Sequence, residues 1–271
     1  MKRRWNTLRF CYAFVGCGQE SVPGSSERRA SSPTPRWEVA VLNRRILQFT
    51  CFAMFLLVPT LASAATRPWL SGSIGGSAYA MGDVNDEIAL INASLAGSGL
   101  EMEEIERGLN YGLAFGLDVG TGWSVGLGYD RLTGKSDVGD ASGSIEYDLP
   151  ANLLRGFGRY SFESTGKAKG FLEASLGQVM ADGTATLSVT GVGTESVSLE
   201  GSGMAFEGTG GFSYWTSPRI ALVGSLGYRV AKAEDIEADG EPLYSPQGNE
   251  RYSIDYSGIF VRFGLTVALA P

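Results

Sequence analysis

Beyond residue 68, large apolar side chains occupy every second position over most of the chain. In LNYGLAFGLDVGTGWSVGLGYD (109–130), Leu109, Tyr111, Leu113, Phe115, Leu117 and Val119 alternate with Asn110, Gly112, Ala114, Gly116 and Asp118. After Gly120-Thr121-Gly122 the beat resumes with Trp123, Val125, Leu127 and Tyr129. A period of two puts one set on one face of a strand and the other set on the opposite face. The pattern recurs between turn residues and predicts eight strands, at about 69–80, 108–119, 123–133, 149–163, 168–180, 203–215, 219–232 and 254–269. In the last of these, Ile259, Val261, Phe263, Leu265, Val267 and Leu269 share one face.

The connections alternate in length: 81–107, 134–148, 181–202 and 233–253 are long, while 120–122, 164–167 and 216–218 are short. Tight turns at one end and long loops at the other are what a barrel crossing a membrane shows, with both termini on the short-turn side. Runs of 9 to 11 residues tilted by about 45° span the hydrocarbon layer. Aromatic residues suggest two interfacial girdles, Trp69, Trp123, Phe162, Phe171, Tyr214 and Trp215 at the short-turn ends and Tyr79, Tyr111, Tyr129, Phe206 and Tyr228 at the other. A soluble, lipocalin-like barrel would have to enclose the large residues, more than eight strands can hold.

The second face is built of glycine, alanine, serine and a few charges. Glycine supplies 38 of 271 residues, about twice the usual share, and these glycines sit inside the alternating runs. An eight-stranded barrel has an interior that side chains just fill, so small residues are expected there. By parity the inward charges are Asp118, Asp130, Glu173, Glu207, Arg155, Arg159, Arg229 and Arg262, four acids and four arginines. A symmetric turn at 164–167 sets Arg159 opposite Glu173, and Glu207 lies diagonal to Arg229 across 216–218. Unpaired charge in a narrow lumen is costly, so a matched network plugging the barrel is expected.

The stretch ILQFTCFAMFLLVPTLASAA (46–65) follows Asn43-Arg44-Arg45 and carries Ala62-Ser63-Ala64, the pattern of a signal peptide cut after Ala64. The organisation read from this is a disordered leader or misplaced start over 1–42, a signal peptide over 43–64 with Ala62 and Ala64 at the cleavage site, and a barrel over 65–271. All three cysteines precede the cut, so the mature chain has no disulfide or thiolate chemistry. Beyond Ala64 there are 13 Lys and Arg against 26 Asp and Glu. That balance excludes nucleic acid as a partner.

In the strand dyads of 109–130, the export signal and the terminal strand SGIFVRFGLTVALAP, residues 65–271 resemble the small eight-stranded outer-membrane β-barrel proteins of Gram-negative bacteria. That group includes the OmpX-like, OmpW-like and OmpA transmembrane-domain folds. The resemblance implies an all-β, antiparallel, closed eight-stranded transmembrane barrel. It is expected as a monomer in the bacterial outer membrane, with outer-membrane lipid, lipopolysaccharide and the barrel assembly machinery as partners. Members commonly end in an aromatic residue that the assembly machinery reads; this chain ends Leu269-Ala270-Pro271, which leaves Phe263 or Leu269 for that role.

The chain has no histidine, so the membrane-barrel hydrolases that resemble one another in using a His base cannot be built here, and no enzymatic activity is expected. In the first long loop, seven acids face one arginine, and Ile88, Ile91 and Leu95 have a partly helical spacing that predicts a short helix over the barrel mouth. In the last, Asp235, Glu237 and Asp239 followed by Gly240 resemble the first half of a calcium loop, but Pro246 stands where a bidentate Glu is needed. No cofactor is expected beyond loosely bound Ca2+ or Mg2+ between acidic loops and lipopolysaccharide phosphates. Two functions follow: a non-enzymatic structural or surface-interaction barrel with acidic outer loops and a plugged lumen, or a narrow OmpW-like channel or carrier of small hydrophobic molecules. Paired charges at mid-barrel favour the first, and an apolar funnel under the first loop favours the second.

Overall fold

The computed structural model describes residues 67–162, 166–245 and 250–269. The leader, the signal peptide and the Ala62/Ala64 cleavage site lie outside the described residues. The chain runs β1 (Arg67–Ala78), α1 (Gly82–Ser94), β2 (Arg107–Gly120), β3 (Trp123–Leu132), β4 (Lys135–Asp140), β5 (Gly143–Asp148), β6 (Ala151–Ser161), β7 (Ala168–Val189), β8 (Gly193–Trp215), β9 (Ile220–Ala238), β10 (Glu241–Pro242), β11 (Ile254–Asp255) and β12 (Gly258–Ala268).

Eight of these strands pair antiparallel in the cyclic order β1, β2, β3, β6, β7, β8, β9, β12, and β12 returns to β1 through Trp69↔Ala268 to Ser77↔Phe260. The sheet is therefore a closed barrel, which removes every strand edge within the ring. The turn between β2 and β3 needs three successive left-handed residues, Gly120 (φ 95°), Thr121 (φ 46°) and Gly122 (φ 84°). Glycine supplies two of them at low cost, and a side chain at Gly122 would meet the Ser161 carbonyl at 2.5 Å.

The outward face of the ring is a belt of exposed large apolar residues. It includes Ile74, Leu113, Leu127, Leu172, Phe212, Leu226 and Phe263. The eleven residues of β12, at about 3.3 Å each and tilted about 45°, rise roughly 26 Å, the height of the apolar band on membrane barrels. The belt has a sharp upper limit. Outward positions change from Met180 to Asp182 on β7, from Met204 to Ser202 on β8 and from Val230 to Lys232 on β9.

Above that limit the strands do not stop. β7, β8 and β9 run on for about another eight residues each, and the hairpin β4–β5 pairs on β7 through Gly143↔Val189 to Asp148↔Thr184. Residues 134–148, expected as a long loop, contain the whole of this hairpin. Outside, the extension is polar: Thr186 and Ser188 of β7 hydrogen-bond Ser196 and Thr194 of β8. Inside, it covers the helix that the spacing in the first loop predicts. Met81, Val84, Ile88 and Ile91 are buried against Leu132, Leu149, Leu153, Val179, Ile236 and Tyr252. Asn92 clamps the returning loop in both directions, its Nδ2 donating to the Met102 carbonyl (2.9 Å) and its Oδ1 accepting from the Met102 N–H (2.7 Å). The far half of the lumen is thus an apolar core closed by a helix.

Candidate functional site

Below that core, the inward side chains of six strands converge. Arg155 on β6 donates to Asp130 on β3 (2.8 Å) and Glu173 on β7 (2.9 Å), and its Nε lies 3.2 Å from Glu207 on β8. Arg159, two inward positions further along β6, beyond Phe157, donates to Glu173 (2.7 Å). Arg229 on β9 and Arg262 on β12 both donate to Glu207 Oε1, at 2.6 and 2.9 Å, and Arg262 also approaches Asp130 (3.5 Å). Glu207 therefore holds three arginines at once. The registers explain this: Arg159↔Glu173 and Glu207↔Arg229 are direct cross-strand partners. Sequence parity had placed Glu207 and Arg229 on a diagonal.

Seven of the eight expected residues form this cluster. Asp118 does not belong to it. It sits near the β2–β3 turn, too far towards the short-turn end, where its Oδ1 accepts from Trp69 Nε1 (3.0 Å) and Ser124 Oγ (2.7 Å). The cluster is then four arginines against three carboxylates. Three of the arginines are nearly covered, with side-chain exposures of 7, 1 and 6% for Arg155, Arg229 and Arg262, while Arg159 keeps 16%. The surplus positive charge emerges at Arg159.

Inward aromatic rings cover the guanidinium groups. Arg159 lies 4.3 Å from the Phe171 ring and 4.9 Å from Trp69, and Arg262 lies 4.1 Å from Phe260. Such contacts strengthen when desolvated. Each ring rests on a glycine directly opposite it on the next strand: Trp69 on Gly116, Phe157 on Gly126, Phe171 on Gly211 and Phe260 on Gly227. A side chain at Gly126, Gly211 or Gly227 would meet ring carbons at 2.5 Å. The inward glycines are seats for rings, a role beyond the small filler that composition suggested. Trp69, Phe171 and Tyr79, expected in the girdles, are accordingly buried inside; they share parity with Glu173 or Ser77, not with the outward-facing Leu70 and Leu172. Trp123, Tyr214, Tyr111, Tyr129, Phe206 and Tyr228 do face outward.

Two spaces flank the cluster. A cavity of about 40 Å3 beside it, bordered by Ser71, Ser73, Asp130, Arg155 and Arg262, has room for a few waters. At the short-turn end the barrel opens into a vestibule of about 900 Å3 with Trp69, Phe171 and Trp215 on its walls, Arg159 at its floor, and Arg67, Lys167 and Lys169 around it. Sequence reasoning missed this vestibule. Its signal was the basic residues of inward parity where two strands enter the ring, Arg67 at the start of β1 and Lys167 and Lys169 around the start of β7.

At the opposite end, α1 is latched by carboxylates. Asp83 Oδ2 accepts from the Ser253 N–H (2.9 Å) and Oγ (2.6 Å), and Glu87 Oε2 accepts from the Tyr252 hydroxyl (2.9 Å). Burial pushes the Glu87 carboxyl above its ordinary range, against the lowering effect of hydrogen bonds from Tyr252 and Tyr147. The calcium-like residues do not assemble. Asp235 and Glu237 lie in β9, Asp235 turns towards Arg251 (3.7 Å), and Asp239 accepts from the Ser198 N–H (3.0 Å). A strand spreads these carboxylates along its length where a calcium loop would curl them round an ion. No group of three metal-ligating side chains occurs among the described residues.

No protein family and no curated protein matches the sequence. Solved structures do show likeness. Neisserial surface protein A is 11% identical, with 75% of this chain and 99% of that one covered and a TM-score of 0.41. The attachment invasion locus protein Ail of Yersinia pestis is 11% identical over 75% and 98% (TM-score 0.37). The outer membrane protein OprG of Pseudomonas aeruginosa is 13% identical over 76% and 95% (TM-score 0.35).

Proposed function

We propose that this protein is a non-enzymatic outer-membrane barrel with a closed lumen, whose contact function is carried by the polar, acidic sheet above the belt. The observation that carries the reading is the outer face. A continuous ring of exposed Leu, Ile, Val and Phe is far larger than the apolar patch a soluble monomer tolerates, and it ends abruptly at Asp182, Ser202 and Lys232. Lipid is the solvent that fits such a surface, and a closed ring is one of the two backbone arrangements that can cross it. The long-loop end is acidic and the short-turn end is basic. Divalent cations between the acidic end and lipopolysaccharide phosphates belong to this proposal.

Passage of small hydrophobic molecules is the competing role. The apolar interior it needs is present under the first loop, but α1 fills it, and the paired charges lie directly beneath. The test is fractionation and electrical recording. The expressed protein is expected in the outer-membrane fraction, with gel migration that shifts on heating and almost no conductance in a planar bilayer. Recovery in the soluble periplasm overturns the membrane reading, and steady unitary currents overturn the closed lumen.

A further inference from the structure

The vestibule at the short-turn mouth has a chemistry that a passive opening does not require. Its floor is Arg159, the one arginine of the lumen cluster whose charge is not enclosed, with Nε and Nη2 committed to Glu173 Oε2 at 2.9 and 2.7 Å. That guanidinium sits between the Phe171 and Trp69 rings. Arg67, Lys167 and Lys169 line the same space and form no ion pair among the described residues. Among the described residues the one acid in the lining, Asp118, is already held by the Trp69 indole and the Ser124 hydroxyl. A recess of about 900 Å3 falls in the size range of small-molecule sites, which are apolar pockets with a few convergent polar groups.

We propose that this vestibule binds small organic anions that carry a flat apolar ring beside the charge. The anionic group sits at the exposed edge of the Arg159 guanidinium within the field of Lys167, Lys169 and Arg67, and the ring packs against Trp69, Phe171 and Trp215. A delocalised guanidinium suits a carboxylate, sulfonate or phosphate group, and aromatic walls beside it supply area at low entropic cost. Binding is a property of this mouth whichever way the barrel is inserted, so it stands apart from the proposed location and closed lumen.

The experiment is calorimetric titration of the full chain, folded in nonionic detergent, with naphthalene-2-sulfonate. Naphthalene-2-methanol and inorganic phosphate serve as the ring without charge and the charge without ring. In parallel, the indole N–H resonances of Trp69 and Trp215 are followed. Saturable sulfonate binding that moves those two resonances is expected. It should weaken about tenfold in Lys167→Glu/Lys169→Glu, two exposed positions whose reversal leaves the lumen intact, and fall with added salt. Arg159→Gln should weaken it further. Should that variant not fold, the lysine variant decides alone. Equal binding of the neutral alcohol, equal binding of phosphate, or an unchanged affinity in Lys167→Glu/Lys169→Glu overturns the proposal.

Discussion

Glu207 is the residue on which most of the lumen cluster depends, because Arg155, Arg229 and Arg262 all reach it. Removing one partner of a buried pair leaves the other charge uncompensated, at a cost of about 3–5 kcal/mol. Glu207→Gln is therefore expected to lower unfolding free energy in detergent by that amount, and Glu207→Gln/Arg229→Met to recover part of it, both read from urea midpoints. Glycine makes a second contrast at this scale. Gly227 faces the Phe260 ring and the Gly208 carbonyl, whereas Gly158 has open space where a side chain would stand. Gly227→Ala should cost about 1–3 kcal/mol through overpacking, and Gly158→Ala should stay within about 0.5 kcal/mol of the parent. Seven of the eight lumen charges were legible from parity alone, since a strand sends alternate residues to one side. Asp118 was not, because parity gives the face and says nothing of height along the barrel axis.

Among the elements, α1 is held by a carboxylate that would rather be neutral. Glu87 has its folded-state pKa raised by burial, so its contribution to seating the helix is fully present below the ordinary carboxyl value and is lost as pH rises through the raised one. Hydrogen exchange of α1 amides, corrected for intrinsic rates, is expected to show weaker protection at about pH 7.5 than at about pH 5. Glu87→Gln keeps an oxygen for the Tyr252 hydroxyl and should abolish that difference; protection that rises with pH in the parent would contradict it. The ends of the elements were harder to read than their existence. β7, β8 and β9 were expected to stop near 180, 203 and 232, where their outward faces turn polar, yet they continue to Val189, back to Gly193 and to Ala238. Alternation persists there with Thr184, Thr186 and Ser188 outward and Ala185 and Leu187 inward. Large outward apolar residues mark the height of the belt, and a strand can outlast the belt. The β4–β5 hairpin went unread for a related reason: KSDVGD and GSIEYD are short and polar, and they join the sheet only because β5 docks on the extended part of β7.

At the scale of the whole molecule the proposed closed lumen rests on two layers in series, the apolar core under α1 and the charge cluster beneath it. The two blocks draw on different physics: one excludes water by packing, the other holds the strands together across the lumen by charge-assisted hydrogen bonds. On the proposed closed-lumen reading either layer alone stops ions, so conductance should be strongly non-additive in the variants that remove them. Replacing residues 82–94 by a Gly/Ser linker removes the upper block and leaves every ion pair of the cluster in place. Arg155→Ala/Glu207→Ala/Arg229→Ala removes the centre of the lower block while leaving Arg159 with Glu173 and Arg262 with Asp130, two acids against two arginines. Each change alone is expected to leave planar-bilayer conductance near the parent baseline, and the combination to give steady unitary currents. If the helix replacement alone conducts, the cluster is no barrier and its role is confined to holding the ring together. If the charge variant alone conducts, α1 is a loose lid, and exchange protection of its amides should already be weak in the parent.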